Sequence, residues 1–211
     1  MSKLSRTCIE AGLRAARVAA VLGAAVWFSG CAPLVVGGAV GGAMMFSDRR
    51  TSGTQIEDQA IEVKAGNRAR EVLGERGHLN FTSYNRTLLV TGEVPTDADR
   101  TAVERAVTGI ENVRAVVNEL GVLGNSSLGS RSSDAIITSK VKATFVDAKD
   151  LQANAVKVVT ERGTVYLMGR VTEREAARAT ELARSVGGVE KVVRVFEMLT
   201  ESELANLQTA K

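Results

Sequence analysis

The chain has 211 residues, of which 45% are hydrophobic and 24% charged, a composition typical of a folded protein and not of a disordered one. Two cysteines and one histidine argue against the common catalytic and metal sites, and 4% aromatic residues argue against a nucleic-acid stacking platform. The first 30 residues hold four basic residues and one acidic residue, so 23 of each remain beyond them. The rest of the chain is thus neutral overall, and no nucleic-acid partner is predicted.

Residues 1–30 are predicted to be a lipoprotein signal peptide. A basic segment is followed by an apolar core over 18–28, which is shorter than the roughly 20 residues that a membrane-spanning helix needs. The core ends in Phe-Ser-Gly-Cys, which resembles the bacterial lipobox and implies acylation of Cys31. Ala32 follows, as in lipoproteins sorted to the outer membrane. A signal anchor, or an ordinary cleaved signal with a coincidental cysteine, remains open.

The rest of the chain contains one unit twice. The sequence TLLVTGEV at 87–94 aligns with TVYLMGRV at 164–171, and 107–120 aligns with 186–199. The predicted organisation is an acylated Gly-rich tether, a first copy, a polar linker, a second copy and a C-terminal tail, at residues 31–54, 55–123, 124–131, 132–199 and 200–211.

Each copy has the pattern helix, strand, strand, helix, strand. In the second copy Ser133 or Asp134 is expected to cap the first helix, and apolar residues at i, i+4 and i+8 are expected to face the core. The fold class is predicted to be α+β: two tandem αββαβ domains, each a three-stranded mixed sheet packed on two helices. The remaining predicted elements are strands at 78–84, 87–94, 113–120, 155–160, 164–171 and 190–199, and helices at 97–108 and 173–185.

The motifs LVTGEV and YLMGRVTERE, each followed by a helix and a Gly-Ile/Val-x-x-Val strand, resemble the BON domain. With the lipobox, the whole chain resembles the dual-BON outer-membrane lipoproteins. The resemblance implies a non-enzymatic protein without a cofactor, lipid-anchored in the outer membrane and facing the periplasm. It also implies binding of anionic phospholipid (phosphatidylglycerol or cardiolipin) through the first helix of the second copy. Links to division sites, envelope integrity and the outer-membrane assembly machinery are implied as well.

Charge agrees with a lipid role for the second copy, because residues 131–199 hold 12 basic and 9 acidic residues, whereas 55–123 hold 8 and 11. Ile136, Lys140 and Lys142 are the candidate phospholipid-binding residues. An exposed isoleucine could insert between headgroups while the two ammonium groups meet phosphates. Alternatively, the isoleucine packs beneath the other copy and the lysines are only solvated.

Four glycines near the strands are predicted to be structural, needed for a close backbone approach or a bulge: Gly92, Gly109, Gly169 and Gly188. No catalytic or metal residues are predicted, because His78 has no partner in any recognised motif. Two alternatives to lipid binding remain. One is a protein-interaction scaffold for outer-membrane assembly or stress response, and the other is a soluble periplasmic stress protein that lacks the acyl group.

Overall fold

The computed structural model describes residues 48–209, so the predicted signal peptide and Cys31 lie outside the described residues. Residues 48–209 lie in one compact unit, and three apolar clusters lie inside it. This part of the chain therefore carries its own cores. Among the described residues, no helix has the length and apolar character needed to cross a membrane.

The described chain contains the predicted unit twice, followed by one further helix. The first domain consists of α1 (Ser52–Leu73), β1 (His78–Tyr84), β2 (Thr87–Val94), α2 (Asp97–Thr108) and β3 (Ala115–Val122). The second consists of α3 (Leu128–Asp147), a 3-10 turn (Ala153–Ala155), β4 (Val156–Glu161), β5 (Thr164–Val171), α4 (Glu173–Arg184) and β6 (Lys191–Met198). Helix α5 (Glu201–Thr209) occupies the segment predicted as a tail.

In each sheet the middle strand of the chain is also central in space. Strand β2 pairs antiparallel with β1 and parallel with β3, and β5 pairs in the same way with β4 and β6. The prediction of an α+β fold with two three-stranded mixed sheets is confirmed.

The central strands are buried on both faces, which explains why they are nearly continuous in apolar residues. In β2, Leu88 and Val90 pack against the helices of the first domain, whereas Leu89 points the other way. Leu89 belongs to a separate apolar layer together with Tyr166 and Met168 of β5. The two sheets thus pack back to back, and the helices lie on the outside. This inter-sheet layer joins the two domains.

Helix α3 begins inside the segment 124–131 that composition marks as a linker. Its cap is Ser127, whose hydroxyl accepts a hydrogen bond from the backbone N–H of Ser130 at 3.1 Å. The prediction of a cap at Ser133 or Asp134 is wrong, and the last four residues of the segment 124–131 belong to the helix. The Gly- and Ser-rich composition that suggested a linker includes the cap itself and the first turn of the helix.

Asp134 is buried and holds the turn between β4 and β5. Its carboxylate accepts hydrogen bonds from the backbone N–H groups of Arg162 and Gly163, both at 2.9 Å. Asp58 of α1 makes the equivalent contacts with the turn between β1 and β2, at 2.8 and 2.7 Å. Both turns have two residues with positive φ, as expected for tight hairpins. The repeat therefore extends to a buried carboxylate that joins each first helix to its hairpin.

Gly92 and Gly169 lie where two strands approach closely. A Cβ at Gly92, which has a φ of 114°, would overlap the carbonyl oxygen of His78. A Cβ at Gly169 would overlap the carbonyl oxygen of Ala155. Any side chain at either position would force the strands apart.

The glycines that precede the last strands differ from each other. Gly188 has a φ of 99°, and an added Cβ would lie 3.1 Å from a side-chain carbon of Ile137. Gly109 has a φ of −81° and no atom within 4 Å of an added Cβ. The prediction of a close backbone approach is therefore wrong for Gly109, which lies in open space at the end of α2.

Candidate functional site

Helix α3 carries apolar side chains on two opposite faces. Ile137, Val141 and Phe145 are buried in the second domain, as the spacing predicts. On the opposite face Leu128, Ile136 and Val146 are 79%, 56% and 72% exposed. Seven exposed residues without charge lie along this face, with successive members mostly three or four positions apart. We call them the uncharged stripe: Leu128, Ser132, Ala135, Ile136, Ser139, Ala143 and Val146.

Two exposed lysines border the uncharged stripe. Lys140 lies one turn after Ile136 on one side. Lys142 comes six residues after Ile136, so it lies about a third of a turn round on the other side. Within residues 48–209 neither ammonium group pairs with a carboxylate. The sequence-predicted residues thus belong to one surface, and Ile136 does not pack beneath the first domain.

The equivalent helix of the first domain also has exposed apolar residues, but they do not form a continuous uncharged stripe. The buried aspartates described above align the two helices. On that alignment α1 has the polar Gln59 and Asn67 and the charged Arg70 where α3 has two alanines and a valine. It also has Gly66 where α3 has Lys142. The uncharged stripe with lysines on both sides is therefore a property of the second domain.

Lys142 also lines a cavity of about 380 Å³ beside the C-terminal half of α3. The other cations there are paired: Arg50 bonds to Asp48 at 2.7 Å, and Lys157 lies 3.1 Å from Glu62. Among the described residues Lys142 is thus the lining cation without an ion pair.

The buried phenol of Tyr84 and the carboxylate of Asp48 also line the cavity. The guanidinium of Arg50 stacks over the ring of Tyr84 at 4.2 Å. Burial and the nearby charge of Asp48 raise the pKa of Tyr84 to about 12, so its hydroxyl is neutral at physiological pH.

The first described residues are attached to the second domain. Arg49 is buried, and its guanidinium bonds to both carboxylate oxygens of Glu175, at 2.6 and 2.8 Å. It also donates to the carbonyl of Arg170 at 2.6 Å. Asp48, one residue earlier, lines the cavity together with Lys142. The described chain therefore begins at the edge of the candidate surface.

A second polar site lies between the domains, and we call it the interdomain cluster: His78, Glu93 and Glu161. Glu93 is fully buried and accepts a hydrogen bond from Nε of Arg162 at 2.6 Å. Burial alone would raise the pKa of Glu93, but the bonds from Arg162 and a backbone N–H lower it below its ordinary value. Burial raises the pKa of Glu161, whose carboxylate accepts a hydrogen bond from Asn80 at 2.8 Å.

Sequence reasoning found Ile136 and the two lysines but missed the two ends of the uncharged stripe, Leu128 and Val146. The missed signal is the series of uncharged residues along one face of the helix, which becomes visible once the helix is taken to begin at residue 128. It also missed the interdomain cluster, because its members come from distant parts of the chain.

Comparison with known proteins agrees with this architecture. The BON domain family matches residues 57–124 and 133–200. Outer membrane lipoprotein DolP of Haemophilus influenzae is 37% identical over 87% of this chain and 96% of its own length. The 21 kDa hemolysin of Actinobacillus pleuropneumoniae is 33% identical over 71% of this chain and 78% of its own. Osmotically-inducible protein Y of Escherichia coli is 26% identical over 66% of this chain and 72% of its own length.

The two family matches coincide with the two structural repeats, and together they cover well over half of the chain. The similarity to DolP extends across both repeats and nearly the whole length of that protein. The chain therefore belongs to the BON-domain family, as a dual-BON protein of the DolP type.

Proposed function

We propose that this protein is a non-enzymatic outer-membrane lipoprotein, held by acylated Cys31 and facing the periplasm, whose helix α3 binds anionic phospholipid. The observation that carries the proposal is the uncharged stripe with Lys140 on one side and Lys142 on the other. Phosphatidylglycerol and cardiolipin are the expected lipids.

An apolar face bordered by lysines is the pattern of a helix that lies in the plane of a membrane interface. The stripe runs from Leu128 to Val146, about 27 Å at 1.5 Å per residue, so its apolar side chains can enter the headgroup region together. Each lysine near an anionic surface contributes about 1 kcal/mol. Because these ammonium groups have no carboxylate partner in the described chain, no ion pair needs to break for them to meet phosphates.

The charge of the two domains favours an orientation in which the second domain faces the membrane. The second domain has three more basic than acidic residues, and the first has three more acidic than basic residues. An anionic surface would attract the second domain and repel the first.

The tether supports the same orientation. Asp48 borders the cavity that Lys142 lines, so the chain leading to Cys31 starts next to the candidate surface. The 16 residues between Cys31 and Asp48 allow a separation of at most about 60 Å. An anchor within that distance raises the effective concentration of lipid at the helix, so a weak intrinsic affinity is sufficient.

The location is carried over from the relative named outer membrane lipoprotein DolP. At that membrane we expect the protein to support envelope integrity. From the same similarity we also propose a role at division sites and contact with the outer-membrane assembly machinery.

The test is co-sedimentation of residues 43–211 with vesicles of phosphatidylglycerol, of cardiolipin and of neutral phosphatidylcholine. We expect binding to the two anionic lipids that weakens as salt is raised, and little binding to phosphatidylcholine. Ile136→Asp should abolish binding. Lys140→Gln should weaken it about fivefold, the equivalent of about 1 kcal/mol.

The matched controls lie on α1 of the first domain. Ile56→Asp and Lys64→Gln make the same chemical changes at exposed positions and should leave vesicle binding unchanged. If no anionic vesicle binds the protein, or if the α1 variants lose binding as much as the α3 variants, the proposal is wrong. The uncharged stripe would then be a docking surface for an envelope protein.

A further inference from the structure

The interdomain cluster brings three metal-ligating side chains together from both domains. One ligand atom from each of His78, Glu93 and Glu161 lies within 4.8 Å of the other two. His78 and Glu93 face each other across the β1–β2 pair, and Glu161 ends β4 of the second domain. The cluster therefore spans the boundary between the two domains.

The Nδ1 atom of His78 has an unusual environment. It is buried, it has no hydrogen-bond partner among the described residues, and it lies 3.4 Å from Oε2 of Glu93. In one tautomer of the neutral imidazole, the lone pair of Nδ1 would point at an anionic oxygen. In the other tautomer, the N–H at Nδ1 would make no well-formed hydrogen bond. A cation between the two atoms removes this conflict.

We propose that His78, Glu93 and Glu161 bind one divalent first-row metal ion, with Zn²⁺ as the best fit. Zinc takes one imidazole nitrogen and carboxylate oxygens at about 2.0–2.2 Å in tetrahedral geometry. Two such ligand atoms are separated by about 3.3 Å, close to the 3.4 Å between Nδ1 and Oε2. A modest movement of the Glu161 carboxylate completes a three-ligand site, and water supplies the fourth ligand.

The electrostatics of the cluster favour a cation. The carboxylates of Glu93 and Glu161 repel each other, and the charge of Asp134 also acts on Glu161. Arg162 is the neighbouring cation, and it bonds to the other oxygen of Glu93. Three carboxylates against one guanidinium leave an excess of negative charge around the imidazole.

The surroundings also provide what a metal site needs beyond its ligands. Asn80 donates to Oε2 of Glu161 and orients that carboxylate, while Arg162 does the same for Glu93. The side chain of His78 is 22% exposed, which gives an ion a path from solvent. A metal here would join the two sheets at their edge, next to the inter-sheet layer.

The experiment titrates chelator-stripped residues 43–211 with Zn²⁺ and with Mg²⁺. His78 is the only histidine of the chain, so the imidazole signals in a ¹H–¹⁵N spectrum report on this site alone. We expect one Zn²⁺ per chain by competition with a fluorescent chelator. We also expect a shift of the Nδ1 signal at one equivalent, and no shift with Mg²⁺, which prefers six oxygen ligands.

Glu161→Gln should weaken Zn²⁺ binding by more than about tenfold while the fold, followed by circular dichroism, is retained. Glu75→Gln removes an exposed carboxylate three positions before His78 in the sequence and should leave the affinity unchanged. The proposal is overturned if the imidazole signals respond to pH but not to Zn²⁺, because a proton alone would then occupy the site. It is also overturned if Glu161→Gln binds Zn²⁺ as tightly as the unaltered protein.

Discussion

Arg49 and Glu175 form a double hydrogen-bonded ion pair although 126 positions separate them in the chain. Both side chains are 5% exposed, so the pair is almost completely removed from water. Glu175 also closes the capping box of α4, where it accepts a hydrogen bond from the backbone N–H of Thr172 at 3.0 Å. The segment that precedes α1 is thus attached to the second domain, and the start of one helix depends on a residue of that segment.

Replacing Arg49 by alanine should strongly destabilise the protein. The change leaves the carboxylate of Glu175 buried without its cation, which typically lowers the free energy of unfolding by about 3–5 kcal/mol. Urea unfolding of residues 43–211 measures this loss. Arg68→Ala is the control, because Arg68 and Glu71 are 62% and 63% exposed, and their pair contributes at most about 0.5 kcal/mol. Equal losses in the two variants would contradict the structural role of Arg49.

The contribution of this pair should depend on pH. Burial alone would raise the pKa of Glu175, but the bonds from Arg49 and Thr172 lower it below the ordinary value of 4.5. A carboxyl group whose pKa is lower in the folded state stabilises the protein above its unfolded pKa. That stabilisation is lost as pH falls through the folded pKa. The difference in unfolding free energy between the unaltered protein and Arg49→Ala should therefore be largest near neutral pH and shrink as pH falls through 4.5 and below.

Urea unfolding at pH 7, 5.5, 4 and 3 follows this difference directly. Arg68→Ala serves again, since its exposed pair should produce a small difference at every pH. If the difference in unfolding free energy between Arg49→Ala and the unaltered protein stays constant down to pH 3, ionisation of Glu175 does not contribute to stability.

The repeat and the strands could be predicted closely from the sequence. The predicted bounds of the strands at 78–84, 87–94 and 164–171 agree with β1, β2 and β5. These segments combine apolar runs with two-residue turns, and both signals are local. The start of α3 was missed because the first turn is rich in glycine and serine, and capping by Ser127 depends on one hydrogen bond that composition does not reveal.

The contacts between domains could not be predicted in this way. Nothing near Arg49 in the sequence indicates a partner in α4, and His78 meets Glu161 only because the two sheets pack back to back. The apolar run in β2 indicates two buried faces, but it does not tell which surface covers the second one. Such contacts follow from tertiary packing, which overrides local pattern.

The glycines provide a test of the sheet geometry. Gly92→Ala should lower the free energy of unfolding by about 1–3 kcal/mol or more, because the added methyl group overlaps the carbonyl of His78. Gly109→Ala places the same methyl group in open space at an ordinary φ. It should be neutral or stabilising by up to about 1 kcal/mol. Thermal or urea unfolding distinguishes the two, and a destabilised Gly109→Ala would restore the structural role that the sequence predicted for Gly109.

Val146 provides a test of the full length of the uncharged stripe. Its side chain is 72% exposed, so Val146→Asp should leave the free energy of unfolding within about 0.5 kcal/mol of the original. If the whole stripe enters the headgroup region, the new carboxylate replaces an apolar contact with a repelled charge. Binding to phosphatidylglycerol vesicles should then weaken at least about tenfold, or 1.4 kcal/mol. Val63→Asp on α1 is the matched control, since Val63 is 65% exposed on the domain with excess acidic residues. If Val146→Asp binds normally while Ile136→Asp does not, the membrane contact is confined to the N-terminal half of α3.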